Sequence, residues 1–220
     1  MIVVSYIIIL IYTIALVLIF MYAIAQLNLL LNYLKAQNKE DTSVKFDFSN
    51  PEEIPFVTIQ LPVYNELYVM ERLLTNIVKL KYPKDKLEIQ VLDDSTDESV
   101  DSTATQIREL QTAGIDIKHI KRTNRKGFKA GALKEGLKTA KGEFIVIFDA
   151  DFLPKENWLL ETIPYFKNKE IGVVQTRWGH INRNYSTLTK IQAFALDAHF
   201  TLEQVGRNSQ GHFINFNGTA

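Results

Sequence analysis

The chain is 220 residues long, with 25 basic residues set against 25 acidic ones and no cysteine. That neutral balance argues against a nucleic-acid surface. The absence of thiols excludes zinc–thiolate sites and disulfides, without deciding the redox compartment.

Met1 to Leu34 carries no charged side chain, and Ile2 to Ala25 is almost entirely apolar. Roughly 24 helical residues at ~1.5 Å each cross a hydrocarbon core of ~30 Å. Ala23-Ile24-Ala25 has the small-x-small form of a cleaved signal, but no basic region precedes it and the apolar run is long, so an uncleaved anchor over 1–34 is expected. The first charges, Lys35 and Lys39, follow the span, which places what comes after it in the cytoplasm. A polar linker is expected over 35–54, followed by one domain of ordinary size over 55–220.

Within that domain, strand-like and helix-like segments alternate. Phe56–Leu61 reads as a strand running into Pro62-Val63-Tyr64-Asn65-Glu66, and Val69–Leu80 has helical period. Leu87–Leu92 is a second strand, ended by Asp93-Asp94-Ser95. Glu98–Leu110 is a second helix, stopping near Gly114. Ile115–Ile120 is strand-like and leads into the basic, glycine-bearing run Lys121–Gly131, with a helix expected over Ala132–Ala140. Gly142–Phe148 is a fourth strand, followed by Asp149-Ala150-Asp151. This order predicts an α/β fold with a mostly parallel, Rossmann-like sheet covered on both faces. Ser186–Arg207 is a long helical segment whose stripe of Leu188, Ile191, Phe194, Ala195, Ala198 and Leu202 reads as core, an interfacial helix being the alternative. His119, His180, His199 and His212 are scattered, and each reads as a structural histidine.

The chemistry gathers at the strand ends. In an extended backbone Asp149 and Asp151 point to the same face and can converge on one cation. Two aspartates suit a magnesium-type ion that takes its other ligands from a substrate's phosphates. The structural alternative is that Asp149 closes the strand and Asp151 caps a helix beginning near Pro154. In parallel sheets ligands bind outside the carboxyl ends of the strands, where Tyr64-Asn65-Glu66, Asp93-Asp94 and Asp149-Asp151 would line one edge. The run Lys121–Gly131 offers charge, close backbone approach at Gly127 and Gly131, and a helix N-terminus for a phosphate. The other reading of that run is a solvated loop. The chain has neither a P-loop nor a dinucleotide Gly-x-Gly-x-x-Gly.

The motifs Gln60-Leu61-Pro62-Val63-Tyr64-Asn65-Glu66, Val91-Leu92-Asp93-Asp94-Ser95-Thr96-Asp97, Asn124–Leu133, Phe148-Asp149-Ala150-Asp151-Phe152, Val174-Gln175-Thr176-Arg177-Trp178 and Phe216–Ala220 occur in the order of one family. From about Phe56 onward the chain resembles the processive family 2 glycosyltransferases, in particular the cellulose-synthase-like group that includes glucomannan 4-β-mannosyltransferases. The resemblance implies a GT-A nucleotide-sugar fold and inverting transfer of a hexose, from GDP-mannose or UDP-glucose, to a growing β-glycan or a lipid. It implies a donor site of Pro62, Tyr64, Glu66, Asp93, Asp94, Lys129 and Asp149. In that site Tyr64 packs on the base, Glu66 accepts from the ribose, Asp93 or Asp94 bonds the base and Lys129 meets the diphosphate. Asp149 and Asp151 would hold Mg2+ or Mn2+, and Trp178, Asn217, Gly218 and Thr219 would lie near the acceptor.

An inverting transfer also needs a general base. In the resembling family it belongs to a Thr-Glu-Asp motif downstream of the Phe-Asn-Gly-Thr segment. These 220 residues are therefore expected to hold the donor- and metal-binding half of a longer chain and no catalytic base. Two other classes fit single features. A phosphohydrolase with Asp149 as nucleophile would leave Asp93-Asp94 and Tyr64-Glu66 without a role. A non-catalytic nucleotide-sugar-binding or scaffold protein would keep all of them.

Overall fold

A computed structural model of the chain describes residues 2–37, 50 and 53–219. These residues form two compact units, one combining the N-terminal helix with residues 176–216 and the other made of the sheet region and the final residues from Asn217. The linker expected over 35–54 lies largely outside the described residues.

The sheet unit holds four parallel strands, β1 (Val57–Val63), β2 (Leu87–Asp93), β3 (Ile117–Lys121) and β4 (Phe144–Ile147), in the order β3-β2-β1-β4. Helices α2 (Met70–Ile77), α3 (Ser99–Thr112) and α4 (Phe128–Leu137) make the crossovers between successive strands. Successive strands step one way from β1 to β3, and the chain then returns to place β4 on the far side of β1. That reversal creates a switch point between the ends of β1 and β4, the place where such sheets bind ligands.

The two faces of the sheet are chemically different. Val57, Ile59, Leu61, Ile89 and Val91 are buried with Leu73 and Ile77 of α2, Ile107 of α3, and Leu159 of the short helix α5 (Trp158–Thr162). The opposite face carries Thr58, Gln60, Glu88 and Gln90, all buried under α4. Gly136 allows this close packing, since a Cβ there would stand 2.6 Å from Leu92, 2.7 Å from Gln60 and 2.8 Å from Gln90. The buried polar groups satisfy one another. Thr58 Oγ1 donates to Glu88 Oε2 at 2.8 Å, Gln60 Nε2 donates to Gln90 Oε1 at 3.0 Å, and Lys118 pairs with Glu88. Burying polar side chains is costly unless they are bonded in this way.

Several boundaries differ from those expected. Helix α4 begins at Phe128 rather than Ala132, because Gly127 takes the left-handed conformation (φ 76°) and turns the chain directly into the helix. Gly131 therefore sits inside the first turns, where a Cβ would meet the Lys126 carbonyl oxygen at 2.0 Å. Strand β4 stops at Ile147, so Asp149 and Asp151 lie in a turn closed by Phe152 N donating to Asp149 O at 3.0 Å. The extended-strand reason for their convergence does not apply. Nor does Asp151 cap a helix near Pro154, since α5 starts at Trp158 after Asn157.

In the other unit α1 (Ile2–Ala36) is a single helix, long and apolar enough to cross a membrane, and its apolar side chains are exposed. Helix α6 (Thr187–Ala198) starts with a capping box between Ser186 and Thr189. It continues through a π-helical stretch, His199–Val205, into α7 (Gly206–Asn208). The stretch and α7 pack on α1, where Gly206 approaches so closely that a Cβ would stand 2.8 Å from Leu29 O. The stripe expected as core is not buried, as Leu188, Ile191 and Phe194 are 64%, 60% and 72% exposed. Apolar periodicity reports that one face differs from the other and says nothing about what covers it. The interfacial alternative stands.

Candidate functional site

The loops after β1, β2 and β4 and the first turn of α4 bring the expected donor residues to one edge. Tyr64 and Glu66 follow β1, Asp93 ends β2 with Asp94 beside it, and Lys129 lies one residue into α4. Lys129 Nζ donates to Asp149 Oδ1 at 2.5 Å, joining the basic segment to the Asp-x-Asp turn. Burial, then the charges of Asp151 and Asp149, push the Glu66 carboxyl above its ordinary range. The loops after β1 and β4 thus concentrate negative charge at the switch point. A divalent cation would relieve that repulsion.

The fit to such an ion is partial. Among the described residues no group of three or more His, Cys, Asp or Glu side chains is placed to hold a metal. Asp149 and Asp151 offer two carboxylates, and Lys129 already engages one of them. That donor set suits Mg2+ or Mn2+ completing its shell with phosphate oxygens and water.

The Asp93-Asp94 pair is engaged by protein partners. Asp93 Oδ1 accepts from Ser95 N at 2.9 Å, and Oδ2 lies 2.7 Å from His119 Nε2. Burial opposes ionisation of Asp93, but the bonds from His119 and Ser95 outweigh it and hold its pKa below the usual carboxylate value. Asp94 receives a two-pronged contact from Arg122, with Nε donating at 2.8 Å and Nη2 closing the fork. Arg122 also donates to the carbonyls of Lys126 at 3.0 Å and Phe128 at 3.1 Å. It thereby pins the basic loop and the start of α4 to the end of β2, which raises its own pKa through the Asp94 bond. Nothing in the sequence marks Arg122 apart from the other basic residues around it.

Thr219, expected near the acceptor, also touches the Asp-x-Asp turn. Its hydroxyl accepts from Asp149 N and donates to Ile147 O, both at 3.2 Å, so it holds the backbone of the Asp-x-Asp turn. Gln175 fastens the same segment, donating to Thr219 O at 2.8 Å and accepting from Asn217 N at 3.3 Å. Gly218 is left-handed (φ 76°) and lies against Lys129 Nζ, 3.8 Å from where a Cβ would sit. Pro62 is half-buried within β1, and Asn217 is exposed. Trp178 belongs to the unit of residues 176–216, where its ring meets Phe200 edge-on at 5.4 Å. The remaining face of the basic run lines an open hollow of about 750 Å3 with Lys121, Lys126, Lys134 and Lys138, on a flank of α4 that does not include Lys129.

The chain is 44% identical over 173 residues to probable glucomannan 4-beta-mannosyltransferase 7 of Oryza sativa subsp. japonica, covering 76% of this chain and 30% of the relative. It is 41% identical over 193 residues to glucomannan 4-beta-mannosyltransferase 2 of Arabidopsis thaliana, covering 83% and 36%. The chain thus spans about a third of the length of these curated relatives. Among solved structures it resembles the mannosyltransferase PcManGT from Pyrobaculum calidifontis, in complex with GDP-Man and Mn2+, with TM-score 0.54 and 30% identity over 70% of this chain and 43% of that one. Residues 58–218 match the sequence profile described as Glycosyl transferase family 2, and the chain belongs to that family, with a GT-A fold.

Proposed function

We propose that these residues form the donor-binding half of a membrane-anchored, inverting glycosyltransferase that moves a hexose from a nucleotide sugar to a growing β-glycan or lipid acceptor. GDP-mannose is the favoured donor and UDP-glucose the second. The observation that carries the reading is the meeting of Lys129, Asp149, Asp151 and Glu66 at the switch point. The mannosyltransferase neighbour bound to GDP-Man and Mn2+ supports the choice of donor.

In this reading Tyr64 offers an aromatic face to the base and Glu66 accepts from the ribose. Lys129 exchanges its bond to Asp149 for the diphosphate, where an ammonium acts as a point charge. A bound Mg2+ or Mn2+ would neutralise the leaving nucleoside diphosphate as a Lewis acid. Asp149 and Asp151 would hold it, on a turn kept in place by Thr219. Trp178, Asn217 and Gly218 serve the acceptor side. Donor and metal binding are the activities assigned to these residues.

Calorimetric titration of the full chain in detergent micelles, with GDP or UDP and their sugars, with and without Mn2+, tests the reading. Metal-dependent binding is expected in the wild type, with Asp149→Ala and Asp151→Ala each weakening it at least about tenfold. Lys129→Ala should weaken GDP more than guanosine. Unchanged metal-dependent affinity in both aspartate variants would remove the metal assignment.

A further inference from the structure

The ring of Tyr64 is already covered. The guanidinium carbon of Arg125 lies 3.4 Å from the ring centroid, the separation of two planar groups in van der Waals contact. A second ring, Phe128, stands 5.4 Å from the same carbon. Both residues still reach water, Tyr64 at 41% exposure and Phe128 at 68%. The backbone here is strained as well, since Asn65 (φ 57°) and Phe128 (φ 46°) are non-glycine residues in the left-handed region. Such outliers gather at functional sites.

Arg125 has little else to hold it. Its Nε is buried without a hydrogen-bond partner among the described residues. Asp94 Oδ2 is 3.9 Å away and is taken by Arg122. Arg122 fixes the loop just after Arg125 through the Lys126 and Phe128 carbonyls, while Arg125 depends mainly on the stack. A planar cation held mainly by stacking, with one carboxylate 3.9 Å away, is replaceable by another planar group of similar area, and a nucleobase is such a group.

We propose that Arg125 is a built-in occupant of the Tyr64 ring face, so that donor binding exchanges a stacked guanidinium for a stacked base. This rests on the assignment of Tyr64 to the base made above. The exchange lowers nucleoside affinity by the worth of the cation–π contact, and it favours bases whose stacking exceeds that of the guanidinium.

The test uses the full chain in detergent micelles and neutral nucleosides, guanosine and uridine, so that loss of a positive charge is not confused with loss of phosphate attraction. Ligand-observed NMR titration reads their affinity, with GDP and Mn2+ titrated in parallel by calorimetry. Arg125→Met should bind guanosine about two- to tenfold more tightly than the wild type. Arg125→Lys, which keeps the charge but loses the plane, should tighten it too. On a Tyr64→Leu background the gain should vanish. Equal or weaker guanosine binding in both Arg125 variants, while the wild type still binds GDP, overturns the exchange and leaves the donor site intact. Failure of the wild type and every variant to bind GDP, UDP or either nucleoside overturns the donor assignment and the exchange together.

Discussion

Arg122 shows how a residue acquires its role from what lies across from it. Four hydrogen bonds tie its guanidinium to Asp94 and to the carbonyls of Lys126 and Phe128, joining the end of β2 to the start of α4. A lysine cannot reproduce that planar fork. Arg122→Lys is expected to destabilise the chain by about 1–3 kcal/mol, read as a lower thermal midpoint. It should also weaken GDP binding, because the turn carrying Lys129 loses its anchor. An unchanged midpoint and affinity would show the fork to be dispensable. Asp149, Asp151, Lys129, Tyr64 and Glu66 stand out in the sequence because each belongs to a short motif, as Arg125 and Thr219 also do. The spatial partners of Arg122, Arg125, His119 and Thr219 do not stand out, since they are separated from them by long stretches of chain.

At the level of elements, the alternation in Val57-Thr58-Ile59-Gln60-Leu61 and Glu88-Ile89-Gln90-Val91 resembles that of a strand with one solvated face. Both faces are buried, because α4 lies over the polar side and the polar side chains bond one another across β1 and β2. Glu88 is the hub, accepting from Thr58 and Lys141 N and pairing with Lys118. Burial works against its ionised form, but those bonds prevail and lower its pKa, as happens for Asp93. A lowered folded pKa contributes stability that is present above the unfolded values, about 3.9 for Asp and 4.3 for Glu, and that is lost as pH falls through the folded values. The thermal midpoint should therefore drop as pH falls below about 4.5, and Glu88→Gln should flatten part of that drop while lowering the midpoint at neutral pH. A midpoint with the same acid dependence in the variant would refute the hub role.

At the level of the whole molecule, α1 is the feature with the clearest experimental signature. Its 35 residues exceed the roughly 20 needed to cross a bilayer, and its only basic last-turn residue is Lys35. The chain is expected to stay with membranes through alkaline carbonate washing. The absence of cysteine makes orientation easy to read. A single Glu170→Cys, on an exposed position of the sheet unit, should react with an impermeant maleimide only after the cytoplasmic face is opened. Labelling of intact cells would reverse the orientation, and release by carbonate would remove the span.

The sequence by itself determined the α/β class, the strands, the apolar span and the acidic and basic motifs, since periodicity, breakers and short motifs are local signals. The start of α4 was misplaced by four residues because a left-handed Gly127 can turn the chain straight into a helix, and sequence does not show φ. The tertiary structure decided what depends on neighbours distant in the chain. These were the return of β4 to the far side of β1, the burial of a polar sheet face and the exposure of the α6 stripe. Long-range packing also set the Lys129–Asp149 pair and laid Arg125 on Tyr64. Each of these joins residues through space, and the energy that selects such contacts comes from burial and pairing, which no window of sequence contains.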